Sequence, residues 1–296
     1  MCPHSPRSAG CPWPQGRRAS SWAKMNLLMG ELDDFVRTEF AHAGKTRALY
    51  RKGSGPAVVV IEELPGITPG VLGFARRVAD LGCTAAVPHL FGEPGARGTA
   101  LRGMSTLIPA CVSRDFTVLT TGKTSPVVDW LRALARSLHG ECGGPGVGVV
   151  GMCFTGGFAL AMVAGAPVLA PVLSQPSLPF PISARRKCDL GLSPADLEAA
   201  KRQCTVRDLT VLGLRFTHDK MSPSERFARL REELGERFAS VEIDSSPGNP
   251  HDNPSSAHSV LTEHLVDRSG HPTREALDKV LALFRDRLLA PAAGSS

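Results

Sequence analysis

A buried strand that runs directly into a glycine-flanked turn and an apolar helix is the feature that most narrows how this chain can fold. Gly146-Val-Gly-Val-Val150 is an apolar run of strand length. Gly151-Met-Cys153-Phe-Thr-Gly156-Gly157 follows at once, and Phe158–Val163 is apolar throughout. A G-x-nucleophile-x-G elbow has this form: the middle residue sits on a strained strand-to-helix turn, its side chain presented at the carboxyl edge of a sheet. The helix dipole and the free N–H groups of the first turn favour negative charge there. An ionised sulfur at Cys153 is therefore favoured, and the backbone N–H of Phe154 would point at a developing oxyanion. The competing reading is a small buried hydrophobe, the usual fate of a free cysteine. The strand before, the helix after and the flanking glycines favour the nucleophile.

The rest of the chain repeats the strand–helix alternation. Arg47–Arg51 reads as an edge strand. Residues 57–62, Cys83–Val87, Val168–Leu173, Leu209–Phe216 and Ser240–Asp244 read as further strands. Most are short apolar runs bounded by Gly or Pro, the pattern of strands covered on both faces. Helical spacing of apolar residues marks Val71–Leu81, ended by Gly82, then Val127–Leu138 and Thr273–Leu289. Ser193-Pro-Ala-Asp196 caps a short helix inside an excursion at 174–205, and Ser222-Pro-Ser-Glu225 reads as a capping box for a helix ending near Gly235. Residues 89–124 read as irregular and Gly-rich, and 245–257 as a Pro-, Asn- and His-rich loop. The expectation is an α/β fold with a mostly parallel central sheet and helices on both faces.

Composition removes several function classes. The net charge is +6, but residues 1–24 hold Arg7, Arg17, Arg18 and Lys24 and no acid, so the remainder carries only +2. That balance gives no basic groove for nucleic acid. No segment approaches the ~20 apolar residues of a membrane span. Residues 1–24 read as a disordered basic leader without the apolar core of a secretory signal. Met25 then opens an N-terminal extension (25–45), a folded domain spans 46–290, and 291–296 is a frayed tail. The eight cysteines include no C-x-x-C pair, so free thiols in a reducing, cytoplasmic compartment are expected. No metal or organic cofactor is implied, and the oligomeric state is left open.

Three further stretches could carry chemistry. Glu62 ends the 57–62 run and Glu63 follows it; two carboxylates there are costly unless solvated or paired. The bland reading is one solvent-facing and one satisfied acid, while the functional one lets either hold or remove the Cys153 proton. Asp219 lies in the turn after Leu209–Phe216, where it could accept the Nδ1–H of a histidine, or be an ordinary turn residue. Of the histidines, His251, His258, His264 and His271 fall after the last strand, where an α/β-hydrolase places its base in chain order. His258 sits beside Ser259-Val-Leu261, which can bury it, so the ordered set is Cys153, Asp219, His258.

These pieces resemble the dienelactone hydrolase family of small α/β-hydrolases. The matching residues are Glu62-Glu63-Leu64-Pro65-Gly66, Ala86-Val-Pro88-His-Leu-Phe91, Gly151-Met-Cys153, Asp219 with Pro223, and Ala257-His258-Ser259, spanning about residues 46–290. The resemblance implies a Cys153–His258–Asp219 triad assisted by Glu63, which takes the thiol proton when substrate binds. It implies an oxyanion hole from the backbone N–H groups of Leu64 and Phe154. Three departures stand out. Thr155 replaces a usual glycine, so a more crowded elbow is expected. Glu93 and Thr262 stand where the family has substrate-binding arginines. A dienelactone carboxylate would lose both counter-charges, so the expected substrate is another small ester, a lactone or a thioester. A catalytically silent binding module and a thiol redox protein are the rival readings.

Overall fold

The computed structural model describes residues 31–92, 94, 124–178 and 183–290. The leader 1–24, Met25, Glu93 and the tail 291–296 lie outside these residues, as does most of the segment read as irregular at 89–124.

Six of the eight strands follow the apolar runs: β3 (Ala57–Ile61), β4 (Thr84–Pro88), β5 (Val147–Met152), β6 (Val168–Ser174), β7 (Val211–Phe216) and β8 (Phe238–Ile243). Every residue of β3, β4, β5 and β7 is buried, which is why they read as continuous rather than alternating patterns. The sheet order is β1-β2-β4-β3-β5-β6-β7-β8. The neighbours from β4 to β8 run parallel, while β1 (Val36–His42) pairs antiparallel with β2 (Lys45–Lys52), and β2 with β4.

The pleat sends alternate side chains to opposite faces. Val58 and Val60 pack with Val71, Phe74 and Val78 of α1 (Pro69–Asp80) and with Leu277, Val280 and Phe284 of α7 (Pro272–Phe284). Ala57, Val59 and Ile61 pack on the other face with α2 (Pro126–Cys142), α3 (Gly156–Val163) and α6 (Ser224–Leu234), through Leu131, Phe158 and Phe227 among others. Two shorter elements, α4 (Ala184–Cys188) and α5 (Pro194–Val206), lie within the excursion. The Ser193 cap is present, its hydroxyl accepting from Asp196 N at 3.0 Å.

Three local expectations are corrected. The strand read at 47–51 is internal, because β1 covers it; β1 itself begins ten residues before the expected domain start. Ser222 does not cap α6: the cap position is Pro223, and the Ser222 hydroxyl is buried without a hydrogen-bond partner among the described residues. The closing helix changes register at Arg285–Leu289 into a wider turn. Among the described residues no helix is long and apolar enough to cross a membrane. The parallel strands bring their carboxyl ends, and the loops that leave them, to one edge of the sheet, where open α/β sheets bind ligands.

Candidate active site

At the end of β5 the chain turns sharply. Cys153 has φ 55°, in the left-handed region that non-glycine residues avoid, and it opens a short 3₁₀ turn, Cys153–Thr155, that feeds α3. Such a conformation costs about 1–3 kcal/mol and persists only where its surroundings enforce it. Thr155 is part of that enforcement. Its fully buried hydroxyl accepts from Met152 N at 2.9 Å, and its proton faces the carbonyls of Met152 (2.9 Å), Glu62 (3.2 Å) and Ile61 (3.3 Å). The elbow is thus stitched to the end of β3; Thr155 binds the turn where crowding was expected. Gly151 makes room for it: a Cβ there would lie 2.3 Å from Thr155 O and 3.0 Å from Ala159 Cβ. Gly151→Ala is expected to lower stability by about 3 kcal/mol, the upper end for an overpacked site, measured by urea unfolding. A loss below about 0.5 kcal/mol would show that the elbow yields.

The structure brings Asp219, His258 and Cys153 together. Asp219, in the turn after β7, is buried; its Oδ1 accepts from Met221 N at 2.9 Å and its Oδ2 lies 2.6 Å from His258 Nδ1. The opposite ring nitrogen, Nε2, is buried and has no hydrogen-bond partner among the described residues. Burial opposes charge on this ring, but the neighbouring Cys153 sulfur and the Asp219 carboxylate outweigh it and hold His258 well above its usual 6.5. The sulfur is thus close enough to act on the charge of the ring, while Nε2 takes no hydrogen-bond partner among the described residues. Instead Ser177 Oγ meets the sulfur at 3.3 Å, while Ser177 N donates to Cys153 O at 2.9 Å.

Glu63 lies at the same edge, but its hydrogen bonds go elsewhere. Gln175 Nε2 donates to Oε2 at 3.0 Å, Ser259 Oγ donates to Oε2 at 2.8 Å, and Thr262 Oγ1 donates to Oε1. Thr262, which stands where the resemblance places an arginine in the family, is thus a neutral partner of this carboxylate. Both glutamates are buried, contrary to the expectation that one would face solvent. Glu62 Oε1 accepts from Leu90 N at 2.6 Å and Phe91 N at 2.9 Å, and burial pushes its carboxyl up to about 8 against the opposing pull of these bonds and of Arg47. Leu64 is half-buried beside the Glu63–Gly66 turn, closed by Gly66 N to Glu63 O at 2.7 Å, and Phe154 N follows the sulfur-bearing residue in the 3₁₀ turn.

Sequence reasoning missed several groups around this site. Gln175 leaves β6 with φ 36°, and its Oε1 accepts from Val260 N at 3.3 Å, which links the Glu63 carboxylate to the histidine loop. Arg226 is buried in the first turn of α6, and its guanidinium donates to Asp189 O (2.6 Å), Pro176 O (2.8 Å), Met221 O (3.0 Å) and Arg186 O (3.0 Å). One cation thereby joins the Asp219 turn, the Ser177 segment and α4, and burial brings it down to about 10. Nothing in the sequence around Ser222-Pro-Ser-Glu225 marks the arginine that follows as buried. His251 and His271 stand apart from this cluster, paired edge to face at 5.5 Å, with His271 capping α7 through Thr273 N at 3.3 Å. Cys83, Cys142, Cys153, Cys188 and Cys204 are all free.

A model of the dienelactone hydrolase family matches residues 44–285. No curated protein matches the chain. Among solved structures, a dienelactone hydrolase-like promiscuous phosphotriesterase from metagenomic libraries superposes with a TM-score of 0.58 at 17% identity, over 86% of this chain and 98% of that one. A 2,6-dihydroxy-pseudo-oxynicotine hydrolase gives 0.52 at 16% identity, over 96% and 78%. At these identities the structural likeness is one of fold. The family match is broader, running from the turn before β2 through the elbow to the closing helix, and on it the chain is a hydrolase that belongs to the dienelactone hydrolase family.

Proposed function

We propose that this hydrolase transfers the acyl group of a small uncharged ester, lactone or thioester to water through a Cys153–His258–Asp219 triad. The observation that carries the reading is the 2.6 Å contact of His258 Nδ1 with Asp219, which leaves Nε2 buried beside a sulfur on a strained elbow. In the acylation step the sulfur lone pair forms a C–S bond to the carbonyl carbon and the carbonyl π pair moves to oxygen. The N–H groups of Phe154 and Leu64 receive that oxyanion. Its collapse breaks the C–O or C–S bond to the leaving group, which takes the proton held on His258 Nε2. Water, deprotonated by the now neutral ring, then attacks the thioester and releases acid and thiol. Asp219 fixes the tautomer that makes Nε2 the proton carrier.

Glu63 has a different standing in this scheme. To take the thiol proton it must exchange at least one of Gln175, Ser259 and Thr262 for the sulfur. In the resting arrangement it anchors the loop next to His258. Because Thr262 brings no positive charge to this wall, an anionic substrate would meet the Glu63 carboxylate, whose described partners are all neutral, which favours neutral acyl compounds. Free cysteines without a C-x-x-C pair fit a reducing, cytoplasmic setting.

The test is interception of the acyl-enzyme. Mixing the protein with a slowly deacylating p-nitrophenyl ester should add one acyl mass, mapped by peptide mass spectrometry to Cys153. Burial raises the Cys83 and Cys204 thiols to about 11, so neither competes. Cys188 is exposed, so the Cys153→Ala protein is the necessary control. Turnover that survives in Cys153→Ala, or an acyl mass that never maps to Cys153 in the parent, would end the reading. Absence of both adduct and turnover across a panel of activated esters would favour the silent-module alternative.

A further inference from the structure

The loop that carries His258 is closed by a second histidine. His264 N donates to Ser259 O at 3.0 Å, and its own ring turns back so that Nδ1 accepts from Ser259 N at 3.2 Å and from His258 N at 3.4 Å. The ring is held edge-on against Phe216 of β7, 6.0 Å between centroids. These contacts converge on the two residues that matter most at this end of the site: His258, whose ring meets Asp219, and Ser259, whose hydroxyl meets Glu63.

We propose that His264 is a positioning residue whose neutral Nδ1, by accepting the backbone N–H groups of His258 and Ser259, fixes the bend that presents the His258 ring to Asp219 and the Cys153 sulfur. The proposal rests on the reading of His258 as the proton carrier. An acceptor at Nδ1 requires that nitrogen to be unprotonated, with the ring proton on Nε2. The surroundings enforce it. Burial first, and then the charge of His258 on the same loop, push His264 below its usual 6.5, against the opposing carboxylates of Glu263 on the loop, Glu63 after β3 and Asp219 after β7. His258 is moved the opposite way, so the environment keeps the ring beside the sulfur charged and the ring six residues later neutral. Protonation of His264 would replace an acceptor by a donor facing two N–H groups and set a second cation against the triad. Activity should therefore fail on the acid side by loss of the bend as well as by titration of the triad.

Two substitutions in the full chain separate the roles. His264→Asn puts an amide oxygen near the position of Nδ1 and cannot take up a proton; His264→Leu fills the space without an acceptor. With p-nitrophenyl acetate at pH 7.5, His264→Leu should lower kcat about tenfold with KM unchanged, equivalent to about 1.4 kcal/mol and within the range for lost hydrogen bonds. His264→Asn should restore kcat to within about threefold of the parent, since the acceptor is kept. It should also make the acid limb of kcat/KM shallower by one proton. An unchanged kcat in the Leu variant, or an acid limb in the Asn variant that superimposes on the parent's, would overturn the proposal. Should the Leu variant not fold, the pH profile of the Asn variant decides.

A readout independent of turnover keeps this inference separate from the hydrolase reading. In ¹⁵N-labelled parent protein the His264 ring should be the Nε2–H tautomer, and the amide resonances of His258 and Ser259 should move with its titration. Amides that ignore that titration, or an Nδ1–H tautomer, would overturn the positioning role even in an active enzyme. Amides that follow it in a protein that hydrolyses no ester would uphold the bend and discard the hydrolase reading alone.

Discussion

Cys153→Ala is expected to lower ester turnover by about 10⁶-fold and Asp219→Asn by about 10⁴-fold in kcat, the scale of losses when a triad loses its nucleophile or its orienting acid. The second value is the more informative, because the structure dictates how the amide will sit. Oδ1 of Asp219 accepts from Met221 N at 2.9 Å, and that donor still needs an acceptor in the variant. The Asn oxygen must therefore take this place, leaving its NH₂ group facing His258 Nδ1 across what was a 2.6 Å contact. Nδ1 then has to accept, the ring proton moves to Nε2, and the nitrogen beside the sulfur can no longer receive a proton. The fold should survive, since Met221 keeps its partner and Phe216 O still receives residue 219 N. Steady-state kinetics on a p-nitrophenyl ester, with circular dichroism to confirm folding, measure this. A folded Asp219→Asn protein that keeps more than a tenth of the parent kcat would remove Asp219 from the mechanism.

The strands that build the sheet are legible because they are buried on both faces: β3 and β5 are unbroken apolar runs, and β4 and β7 are nearly so, broken only by Thr84 and Arg215. β1 shows the converse. Val-Arg-Thr-Glu-Phe-Ala-His is exposed or half-buried at every position, so it has no apolar signature, and from sequence the strand inside it reads as the edge. At Ser222 a local motif misled, because Pro223 takes the cap position and turns the serine hydroxyl inward. The order Cys153, Asp219, His258 could be read since each follows a recognisable strand or precedes a burying apolar segment. The partners of Glu63 could not: Gln175, Ser259 and Thr262 lie 112, 196 and 199 residues away, and only the assembled sheet edge makes them neighbours. The same holds for Ser177 against the sulfur and for the carbonyls gathered by Arg226.

The other large effect concerns stability. Glu62→Gln is expected to gain about 4–5 kcal/mol relative to the parent between pH 4.5 and pH 8.5, the equivalent of holding a carboxyl at about 8 in the fold against 4.5 in the unfolded chain. The sign follows from proton counts. Below 4.5 both states carry the proton and its raised pKa has no consequence. Between 4.5 and about 8 the unfolded chain has released it while the folded protein retains it, so the parent loses stability as pH rises through that window. Above about 8 the fold must accommodate a buried anion and the loss levels off. Glutamine does not titrate, and its oxygen can accept from Leu90 N and Phe91 N as Glu62 Oε1 does, at 2.6 and 2.9 Å. Its NH₂ group stands in for Oε2, which has no hydrogen-bond partner among the described residues, so at low pH one uncharged group replaces another. Urea unfolding of both proteins at pH 5 and pH 8.5 reads the difference directly. Parallel stability curves across that range would mean that Glu62 ionises at its ordinary pKa, with a compensating cation beside it. A widening gap would mean that a neutral acid fastens Leu90 and Phe91 to the end of β3, next to the elbow that holds Cys153.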